Sequence, residues 1–392
     1  MDIYCPCCGA KTGRLLCQVS SIPVMVNQLC RTESEAKAVS RGDISLVRCE
    51  ECGTVWNCSY HPEELSYDAK YDNSQDLGRE YLAHFRRMVD FLSSNVELKG
   101  SKVLEIGCGK GLFLTSLAKE AGCLACGVDP SYLGEEKSAD GLCTFLKKAY
   151  DQELARALGE GAFDCIIMRQ VFDQLPNPRE MMQTIASNLR DGGYLYVEGL
   201  EFQNLLNQRS ILDLSYERYT YFTVESLRRF MFDAGIEQIA FTDSFQGQYM
   251  AVLGRKNAKG AVPAGCGYRA QEASRPWVTE QDLRRAGERL AELGREGNVA
   301  LWGAANRGVM FCNLLDREGA LIDCVVDILP AKQGGFLPGS GHPIIAPEEL
   351  EAHGVSWVIA ANRNYEQEIK TRLRDMGSRA GVLTAEEILG LD

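Results

Sequence analysis

The sequence predicts an α/β protein with three units: a cysteine-rich N-terminal module, a central parallel sheet flanked by helices, and a smaller α/β unit at the C-terminus. Three observations predict this fold class. From residue 75 to about 255, short apolar runs alternate with amphipathic helical stretches, which is typical of a parallel sheet covered on both faces. A second strand, small-residue turn and helix follow near residue 300, and two Cys-x-x-Cys-Gly segments lie near the N-terminus. We place the domains at 1–72, 73–256 and 257–392.

Composition narrows the possible functions. The 392 residues are 45% hydrophobic, so the chain can bury several cores. The net charge of −12 argues against a general nucleic-acid binder, which needs a basic face. Apolar runs fall short of the roughly 18 residues of a membrane span, and MDIYCPCCGA does not resemble a signal peptide. We therefore expect a cytoplasmic enzyme that acts on a small molecule and has no nucleic-acid or membrane partner. We expect it to be either a monomer or a homodimer.

The cysteines of the first unit indicate a metal site. Eight of the 16 cysteines lie in the first 58 residues, and the two Cys-x-x-Cys-Gly segments supply Cys5 with Cys8 and Cys49 with Cys52. Four thiolates form a closed tetrahedral shell that suits structural Zn²⁺ and leaves no position open for chemistry. Four other cysteines of this unit remain possible replacements for one of these ligands: Cys7, Cys17, Cys30 and Cys58.

The ligand of the central unit is indicated by VLEIGCGKGLFL, residues 103–114, a strand followed by Gly107, Gly109 and Gly111 and then a helix. The spacing differs from the G-x-G-x-x-G of dinucleotide folds, and no Gly-Lys-Ser/Thr phosphate loop follows. The strand ends in Glu105, whose carboxylate would repel a pyrophosphate but suits a cationic group. The next strand ends at Asp129, about twenty residues on, where it can accept ribose hydroxyls. These features predict a pocket for S-adenosylmethionine (SAM).

At these residues the chain resembles the class I SAM-dependent methyltransferases, whose signature is E/D-x-G-x-G-x-G. The resemblance implies that Glu105, the turn from Gly107 to Gly111 with Cys108 inside it, and Asp129 bind the cofactor. It also implies that Tyr150 and Asp151 lie near the adenine. The segment FDCIIMRQVFDQLPNP resembles the fourth-strand motif of that family. It places further residues beside the sulfonium group, namely Arg169 and Gln170.

The C-terminal unit resembles part of a larger family. Gly303-Ala304-Ala305 can bring backbone N–H groups to an anion at a helix N-terminus. The block DILPAKQGGFLPG, residues 327–339, is long and specific. With the cysteine module and the central unit, these motifs make nearly the whole chain similar to bacterial C-methyltransferases of nucleotide-linked deoxysugars. In that family the substrate lies between the SAM domain and a Rossmann-like C-terminal domain. The resemblance implies a substrate site at Tyr221, Asn306, Arg307, Lys332 and Asn362. It also implies a catalytic tyrosine from the zinc module, and Tyr71 is the nearest match by position.

The catalytic segment departs from that family. C-methylation of a keto-sugar needs a base that removes a proton next to the carbonyl. The family uses a segment rich in tyrosine, glutamate and histidine, and the matching segment here is LSYERYTYFT, residues 214–223. Arg218 stands at the histidine position, and arginine is a poor base. None of the four histidines, His61, His84, His342 and His353, lies in the segment.

Two interpretations of this segment follow. In the first, Tyr216 acts as base with its pKa lowered by a neighbouring guanidinium, Glu217 holds it or Arg218, and Arg218 stabilises an enolate or binds a carboxylate. In the second, no proton is abstracted, and the enzyme methylates an oxygen, a nitrogen or an already nucleophilic carbon of a non-sugar metabolite. A third hypothesis is a zinc-ribbon binding protein whose SAM fold is a sensor or a relic.

Overall fold

The computed structural model describes residues 4–67, 71–72, 78–257 and 277–391. Residues 258–276, near the start of the third predicted domain, lie outside the described residues. The described strands form three sheets, each in one of the predicted units, except that a short strand near residue 220 belongs to the N-terminal sheet.

The N-terminal sheet is antiparallel, with the order β1-β2-β3-β9. Its strands are β1 (Arg14–Pro23), β2 (Arg41–Arg48), β3 (Val55–Asn57) and β9 (Thr220–Tyr221), and the short helix α1 spans Glu33–Lys37. Strand β9 pairs with β3 through Val55 and Tyr221. This pairing brings the segment around residue 217, which is far away in sequence, next to the cysteine module.

The central sheet has parallel neighbours except for β11, which runs antiparallel to both of its neighbours. The strands are β4 (Lys102–Ile106), β5 (Leu124–Val128), β6 (Cys143–Leu146), β7 (Phe163–Arg169), β8 (Leu189–Leu200), β10 (Ile236–Ser244) and β11 (Tyr249–Lys256). Their order is β10-β11-β8-β7-β4-β5-β6. The helices are α2 (Arg79–Asn95), α3 (Leu112–Ala121), α4 (Gln152–Leu158), α5 (Pro178–Asn188), α6 (Phe202–Gln208) and α7 (Val224–Asp233).

The C-terminal sheet is parallel throughout, in the order β14-β13-β12-β15-β16. Its strands are β12 (Asn298–Trp302), β13 (Cys324–Val326), β14 (Ile344–Ile345), β15 (Val355–Ala360) and β16 (Gly381–Thr384). The helices are α8 (Glu280–Glu296), α9 (Asn306–Leu315), α10 (Glu366–Asp375) and α11 (Ala385–Leu389). No described helix combines the length and the apolar composition that crossing a membrane requires.

The stretch that carries Tyr67 and Tyr71 is not helical in its described part. Pro62–Glu64 forms a 3-10 turn, Leu65 is extended, and Tyr71 makes a β-bridge with Gln28. The two tyrosine rings still meet edge to face, with centroids 4.9 Å apart. The bridge to Gln28 of the N-terminal module, rather than a helical repeat, therefore positions Tyr71.

The three units share a continuous core. One buried cluster joins Ile44 of β2, Phe202 of α6 and Phe311 of α9. A second cluster joins Cys49 and the ring of Trp56 to residues of the central sheet. Because burying a large apolar side chain contributes about 1.5–3 kcal/mol, these shared clusters hold the units against one another and fix the cleft between them.

Candidate active site

A cavity of about 830 Å³ lies where the carboxyl ends of the central and C-terminal sheets face each other. In each sheet the chain order reverses beside the first strand, because β4 lies between β5 and β7, and β12 lies between β13 and β15. Ligands of open α/β sheets bind at such switch points. Residues of the N-terminal module, among them Tyr71, close a further side. All three units therefore contribute to one site.

Glu105 supplies a buried carboxyl group at the end of β4. Its side chain is 2% exposed, and its Oε2 atom has no hydrogen-bond partner among the described residues. Burial raises the pKa of this carboxyl to about 8. Leaving a buried carboxylate oxygen unpaired is costly, so a donor from a ligand is expected there. A ligand ammonium would satisfy the oxygen and favour its ionised form.

The glycine turn after β4 leaves no room for side chains. Gly107 has φ +72° and Gly111 has φ +77°, both in the left-handed region. A Cβ atom at Gly107 would lie 2.7 Å from Cγ2 of Val171, and one at Gly111 would lie 2.5 Å from Cε1 of Phe145. Cys108 is buried between the glycines and lines the cavity. The turn therefore presents backbone to the cavity, next to the N-terminus of α3.

Asp129 follows β5 and fixes this turn. Its Oδ2 atom accepts a hydrogen bond from the Gly109 backbone N–H at 2.8 Å, and its Oδ1 atom accepts from both N–H and Oγ–H of Ser131 at 2.8 and 2.6 Å. The carboxylate also lines the cavity. Each carboxylate oxygen can accept more than one hydrogen bond, so these contacts leave capacity for ligand hydroxyls.

Tyr150 and Asp151 line the same cavity as Asp129. The Tyr150 hydroxyl donates to Oδ1 of Asn188 at 2.6 Å, so its ring rather than its hydroxyl is available to a ligand. Asp151 caps α4 by accepting from the backbone N–H of Leu154 at 2.8 Å. Both residues therefore have a structural partner as well as a place on the cavity wall.

Arg169 and Gln170 lie at the end of β7, on the other side of Glu105. Two hydrogen bonds of 3.0 and 3.3 Å join the Arg169 guanidinium to Glu198, and the group lies 4.0 Å from the ring centroid of Phe113. Gln170 adopts φ +56°, a strained value for a residue with a side chain. Both residues line the cavity.

Glu217 supplies a second buried carboxyl group in the cavity wall. It is 3% exposed, and its Oε2 atom accepts from the Val26 backbone N–H at 3.5 Å and lies 3.4 Å from Ser215 Oγ. No partner of Oε1 is found in the described part of the chain. Burial raises the pKa of Glu217 to about 7, and the Tyr71 hydroxyl interacts with the same carboxyl group. A carboxyl group with this pKa is suited to accept a proton near neutral pH.

Arg218 lies beside Glu217 and also lines the cavity. Its Nε donates to Oδ2 of Asp173 at 2.7 Å, and this ion pair is buried. Among the described residues, the terminal guanidinium nitrogens of Arg218 donate no hydrogen bond to another side chain or to the backbone. These nitrogens can therefore donate to a bound anion or to a developing negative charge.

Tyr216 and Tyr221 do not take the places expected of them. The Tyr216 hydroxyl donates to Oε2 of Glu64 at 2.6 Å and accepts from the His61 backbone N–H at 3.1 Å, and burial raises its pKa. The Tyr221 hydroxyl bonds the backbone of Ser215. Neither side chain is part of the cavity lining. The expected roles of Tyr216 as base and Tyr221 as substrate ligand do not fit this geometry, because both rings pack the N-terminal module onto its neighbours.

Arg307 lies at the cavity but its guanidinium is fully engaged. Nη1 donates to Oδ2 of Asp213 at 2.7 Å, Nε donates to the carbonyl of Ala361 at 2.7 Å, and Nη2 pairs with Glu386. Such a buried ion pair leaves little for a substrate, since its loss would strand two carboxylates. We therefore correct the expected substrate contact of Arg307: the residue joins the C-terminal and central units.

Lys332, Asn306 and Asn362 line the same wall of the cavity. Lys332 Nζ donates to the carbonyl of Ala304 at 2.9 Å and supports the turn after β12. Asn306, at the start of α9, donates to the carbonyl of Leu212 at 3.0 Å and keeps a buried Oδ1 with no partner among the described residues. Asn362 Nδ2 donates to Oε1 of Gln248 at 3.2 Å. These amides, unlike Arg307, retain polar atoms that a substrate can use.

The structure adds cavity residues that sequence reasoning missed. Tyr81, Tyr249, Tyr365, Asp213 and Gln248 all line the cavity. Tyr249 begins β11 and pairs with Leu200 at the end of β8, so the antiparallel direction of β11 carries it to the active edge of the sheet. The antiparallel direction of β11 is therefore the feature from which the position of Tyr249 could have been predicted. Tyr81 and Tyr365 belong to no motif and become visible only from the packing of the two sheets.

The predicted metal ligands come together in the N-terminal module. The sulfur atoms of Cys5, Cys8, Cys49 and Cys52 all lie within 4.8 Å of one another. Two of the distances are 3.5 and 3.6 Å, close to the roughly 3.8 Å between thiolates that share a tetrahedral Zn²⁺. The glycines that follow the two pairs have φ +78° and +76°, so both turns have the same form. These residues fit a zinc ion.

Two protein-family models match this chain, one over the central sheet and one over the C-terminal sheet. A model described as a methyltransferase domain matches residues 79–240, and one described as a C-methyltransferase C-terminal domain matches residues 279–385. The chain is a class I SAM-dependent methyltransferase. Its first matched range contains the glycine turn, Asp129 and the segment with Glu217 and Arg218.

Individual relatives cover different shares of the methyltransferase. The C-methyltransferase NovU of Streptomyces niveus is 25% identical over 93% of this chain and 90% of NovU. The ubiquinone biosynthesis O-methyltransferase of Methylococcus capsulatus is 30% identical over 29% of this chain and 48% of that protein. Among solved structures, the 1,6-didemethyltoxoflavin-N1-methyltransferase of Burkholderia thailandensis is 17% identical, with a TM-score of 0.36, over 45% of this chain and 79% of that one.

A glycine substitution tests the cofactor turn of the methyltransferase. Gly107 and Gly100 share φ +72°, but a Cβ atom would meet Val171 at Gly107 and no atom within 4 Å at Gly100. We expect both alanine variants to lose about 1–2 kcal/mol of stability from the left-handed backbone. Gly107→Ala should also weaken binding of the product S-adenosylhomocysteine (SAH) at least about tenfold, because a clash of this kind shifts the turn. Calorimetry with SAH and urea unfolding measure both effects, and equal SAH affinity in the two variants would contradict the role of the turn.

Proposed function

We propose that the enzyme methylates a carbon atom next to a carbonyl group in a small polar metabolite of the nucleotide-activated deoxysugar class. The observation that carries this proposal is the pair formed by Glu217 and Arg218. A buried carboxyl group with an unpaired oxygen and a pKa of about 7 lies next to a guanidinium, in the same cavity as the cofactor residues. Removing a proton from such a carbon requires a base and a group that stabilises the enolate oxygen. The similarity to NovU along nearly the whole chain supports carbon as the acceptor.

The residues around the glycine turn fit SAM. We propose that Glu105 takes its ammonium group, that Gly107, Gly109 and Gly111 border its methionine part, and that Asp129 takes its ribose hydroxyls. Cys108, Tyr150, Asp151 and Gln170 would complete this end of the cavity. When bound, SAM supplies an electrophilic methyl group on a sulfonium. The chain's own contribution is to hold the reacting carbon in line with that group and to exclude water.

The acceptor half of the site then has defined roles. Glu217 accepts the proton of the acceptor carbon on Oε1, and Arg218 donates hydrogen bonds to the enolate oxygen that forms. Tyr71 lies next to the Glu217 carboxyl group, where it orients the base. Asn306, Lys332 and Asn362 contribute the wall on which the rest of the substrate lies. General-base catalysis of this kind contributes about 10²- to 10⁴-fold in rate.

A second candidate is methylation of an oxygen or nitrogen in a non-sugar metabolite. The specific observation in its favour is the buried Arg218–Asp173 ion pair. By the resemblance to sugar C-methyltransferases, Arg218 stands at the position of their histidine. Under this alternative Arg218 binds a carboxylate of the acceptor, and Glu217 serves only to orient it.

A labelled donor separates the two candidates. The enzyme is incubated with trideuteromethyl-SAM and either nucleoside-diphosphate keto-sugars or keto acids, and NMR locates the label in the product. A carbon–CD₃ signal supports the proposed reaction, whereas an O–CD₃ or N–CD₃ signal supports the alternative. Calorimetry with nucleoside diphosphates in the presence of SAH tests the substrate class, because absence of heat with every nucleotide would exclude an activated sugar.

The pH dependence of turnover should report the Glu217 carboxyl. It accepts a proton only when ionised, so we expect kcat at saturating SAM to rise about tenfold per pH unit below its pKa of about 7 and to level above it. The same raised pKa should lower stability as pH increases from about 4 to 7, because the unfolded carboxyl ionises first. Saturating SAM removes the titration of Glu105 from the measurement. A kcat that does not change between about pH 5.5 and 8 would contradict Glu217 as base.

We further propose that the four cysteines bind structural Zn²⁺ and that the domains span 1–72, 73–256 and 257–392. With these bounds, strand β9 belongs to the second domain in sequence but pairs with the sheet of the first domain. We propose a cytoplasmic location, consistent with thiols that hold a metal rather than form disulfides.

A further inference from the structure

A buried hydrogen-bond network lies beneath the cofactor end of the cavity. Its centre is Glu198, near the end of β8, which is 1% exposed. Oε1 receives Nη2 of Arg169 at 3.3 Å and lies 3.1 Å from Nε2 of His84. Oε2 receives Nε of Arg169 at 3.0 Å and the Tyr196 hydroxyl at 3.0 Å. Both carboxylate oxygens of Glu198 therefore have two partners each, which is what a buried charge needs.

This network fixes the orientation of Arg169. Two hydrogen bonds to one carboxylate set the plane of the guanidinium, and the ring of Phe113 supports it from one side. The Nη1 atom takes no part in the contact with Glu198. Arg169 lines the cavity, where its charge interacts with the Tyr81 hydroxyl and with the Glu105 carboxyl.

Arg169 and Glu105 place a guanidinium and a carboxyl group at the ends of two paired strands. Strands β4 and β7 run side by side, with Ile106 opposite Met168. Glu105 keeps an unpaired Oε2, and the guanidinium edge of Arg169 that Glu198 does not use contacts the Tyr81 hydroxyl at the cavity. An amino acid has an ammonium and a carboxylate on one carbon, so it matches two such groups at neighbouring positions.

We propose that Arg169 binds the α-carboxylate of the donor's amino-acid end, and that Glu198 and His84 are positioning residues that hold the guanidinium for it. This inference rests on the proposed placement of the SAM ammonium at Glu105. Besides Glu198, the carboxyl group whose charge acts on Arg169 is that of Glu105. Without Glu198, these two groups would pair with each other, and neither would remain for the donor.

A paired change of ligand and residue tests the contact of Arg169. SAH and its analogue without the carboxylate (decarboxylated SAH) are titrated into the full chain and into Arg169→Met by calorimetry. We expect the wild type to prefer SAH by roughly 10- to 100-fold, the range of a hydrogen bond to a charged group. In R169M the preference should fall to within about threefold, with little change in affinity for the decarboxylated analogue. A full preference for SAH in R169M would overturn the proposal.

The positioning role has its own variants. Glu198→Gln should lose the preference for SAH although residue 198 does not touch the ligand, whereas Glu237→Gln, an exposed glutamate on β10, should keep it. If E198Q does not fold, Tyr196→Phe removes one of the four contacts of Glu198, and we expect it to lower the preference about threefold. An undiminished preference in each folded variant would overturn the role of Glu198. Absence of SAH binding to the wild type would instead contradict the proposed donor site.

Discussion

Replacing Glu217 by glutamine is expected to lower kcat by about 10³-fold while leaving the affinity for SAH within about threefold of the wild type. The amide keeps the size of the side chain but cannot accept the proton that C-methylation removes. Steady-state turnover at saturating SAM and calorimetry with SAH give the two numbers. A kcat within tenfold of the wild type would show that the carboxyl group is not the base.

The neighbouring Tyr216→Phe is the matched control for this variant. In the wild type, the Tyr216 hydroxyl contacts Glu64 and the backbone of His61, and Tyr216 is not part of the cavity lining. We expect turnover close to that of the wild type and a loss of about 1 kcal/mol in stability from the lost hydrogen bond. Loss of turnover in Y216F alone would restore the interpretation based on the sequence, in which this tyrosine is the base.

Removing the cysteine cluster should have the largest effect on stability. The double variant Cys49→Ser, Cys52→Ser is expected to bind no zinc, whereas the wild type binds one ion per chain. Zinc binding contributes about 10 kcal/mol to folding in small modules, and here the cluster packs with Trp56 against the central core. We therefore expect unfolding of the N-terminal module, with loss of turnover because Tyr71 and the Glu217 segment rest on it. Metal analysis and thermal unfolding provide the measurements.

The control for this variant uses two cysteines of the same module. Cys17 lies on β1 and Cys58 is exposed, and neither belongs to the four-sulfur cluster. Cys17→Ser, Cys58→Ser should keep one zinc per chain and a melting temperature near that of the wild type. Equal zinc loss in both double variants would mean that the ligand set is different.

The residues proposed to bind the cofactor could be selected from the sequence because their determinants are local. The turn with Gly107 and Gly111 directly follows the strand that ends in Glu105, and the register of a parallel sheet brings Asp129 to the same edge. A short segment of sequence therefore specifies both the backbone and the charges. The class I methyltransferase fold followed from the same alternation of strands and helices.

The acceptor half was harder to predict, since it depends on small rotations and distant partners. In the segment from Ser215 to Arg218, adjacent residues differ in whether their side chains face the cavity. Glu217 lines the cavity and Tyr216 does not. Burial against the N-terminal sheet decides this, and the local pattern does not record it. Arg307 has partners 94 and 79 residues away in sequence, so its role as a connection between units was equally hidden.

Proton exchange at the acceptor carbon tests the central claim most directly. The enzyme is mixed with SAH, which has no methyl group to transfer, and with a nucleoside-diphosphate keto-sugar in D₂O. NMR then follows the hydrogen next to the carbonyl. Glu217 as base predicts that the wild type replaces this hydrogen by deuterium and that E217Q leaves it at the rate without enzyme. Equal exchange by the two proteins, while the wild type still methylates the same compound, would contradict the account.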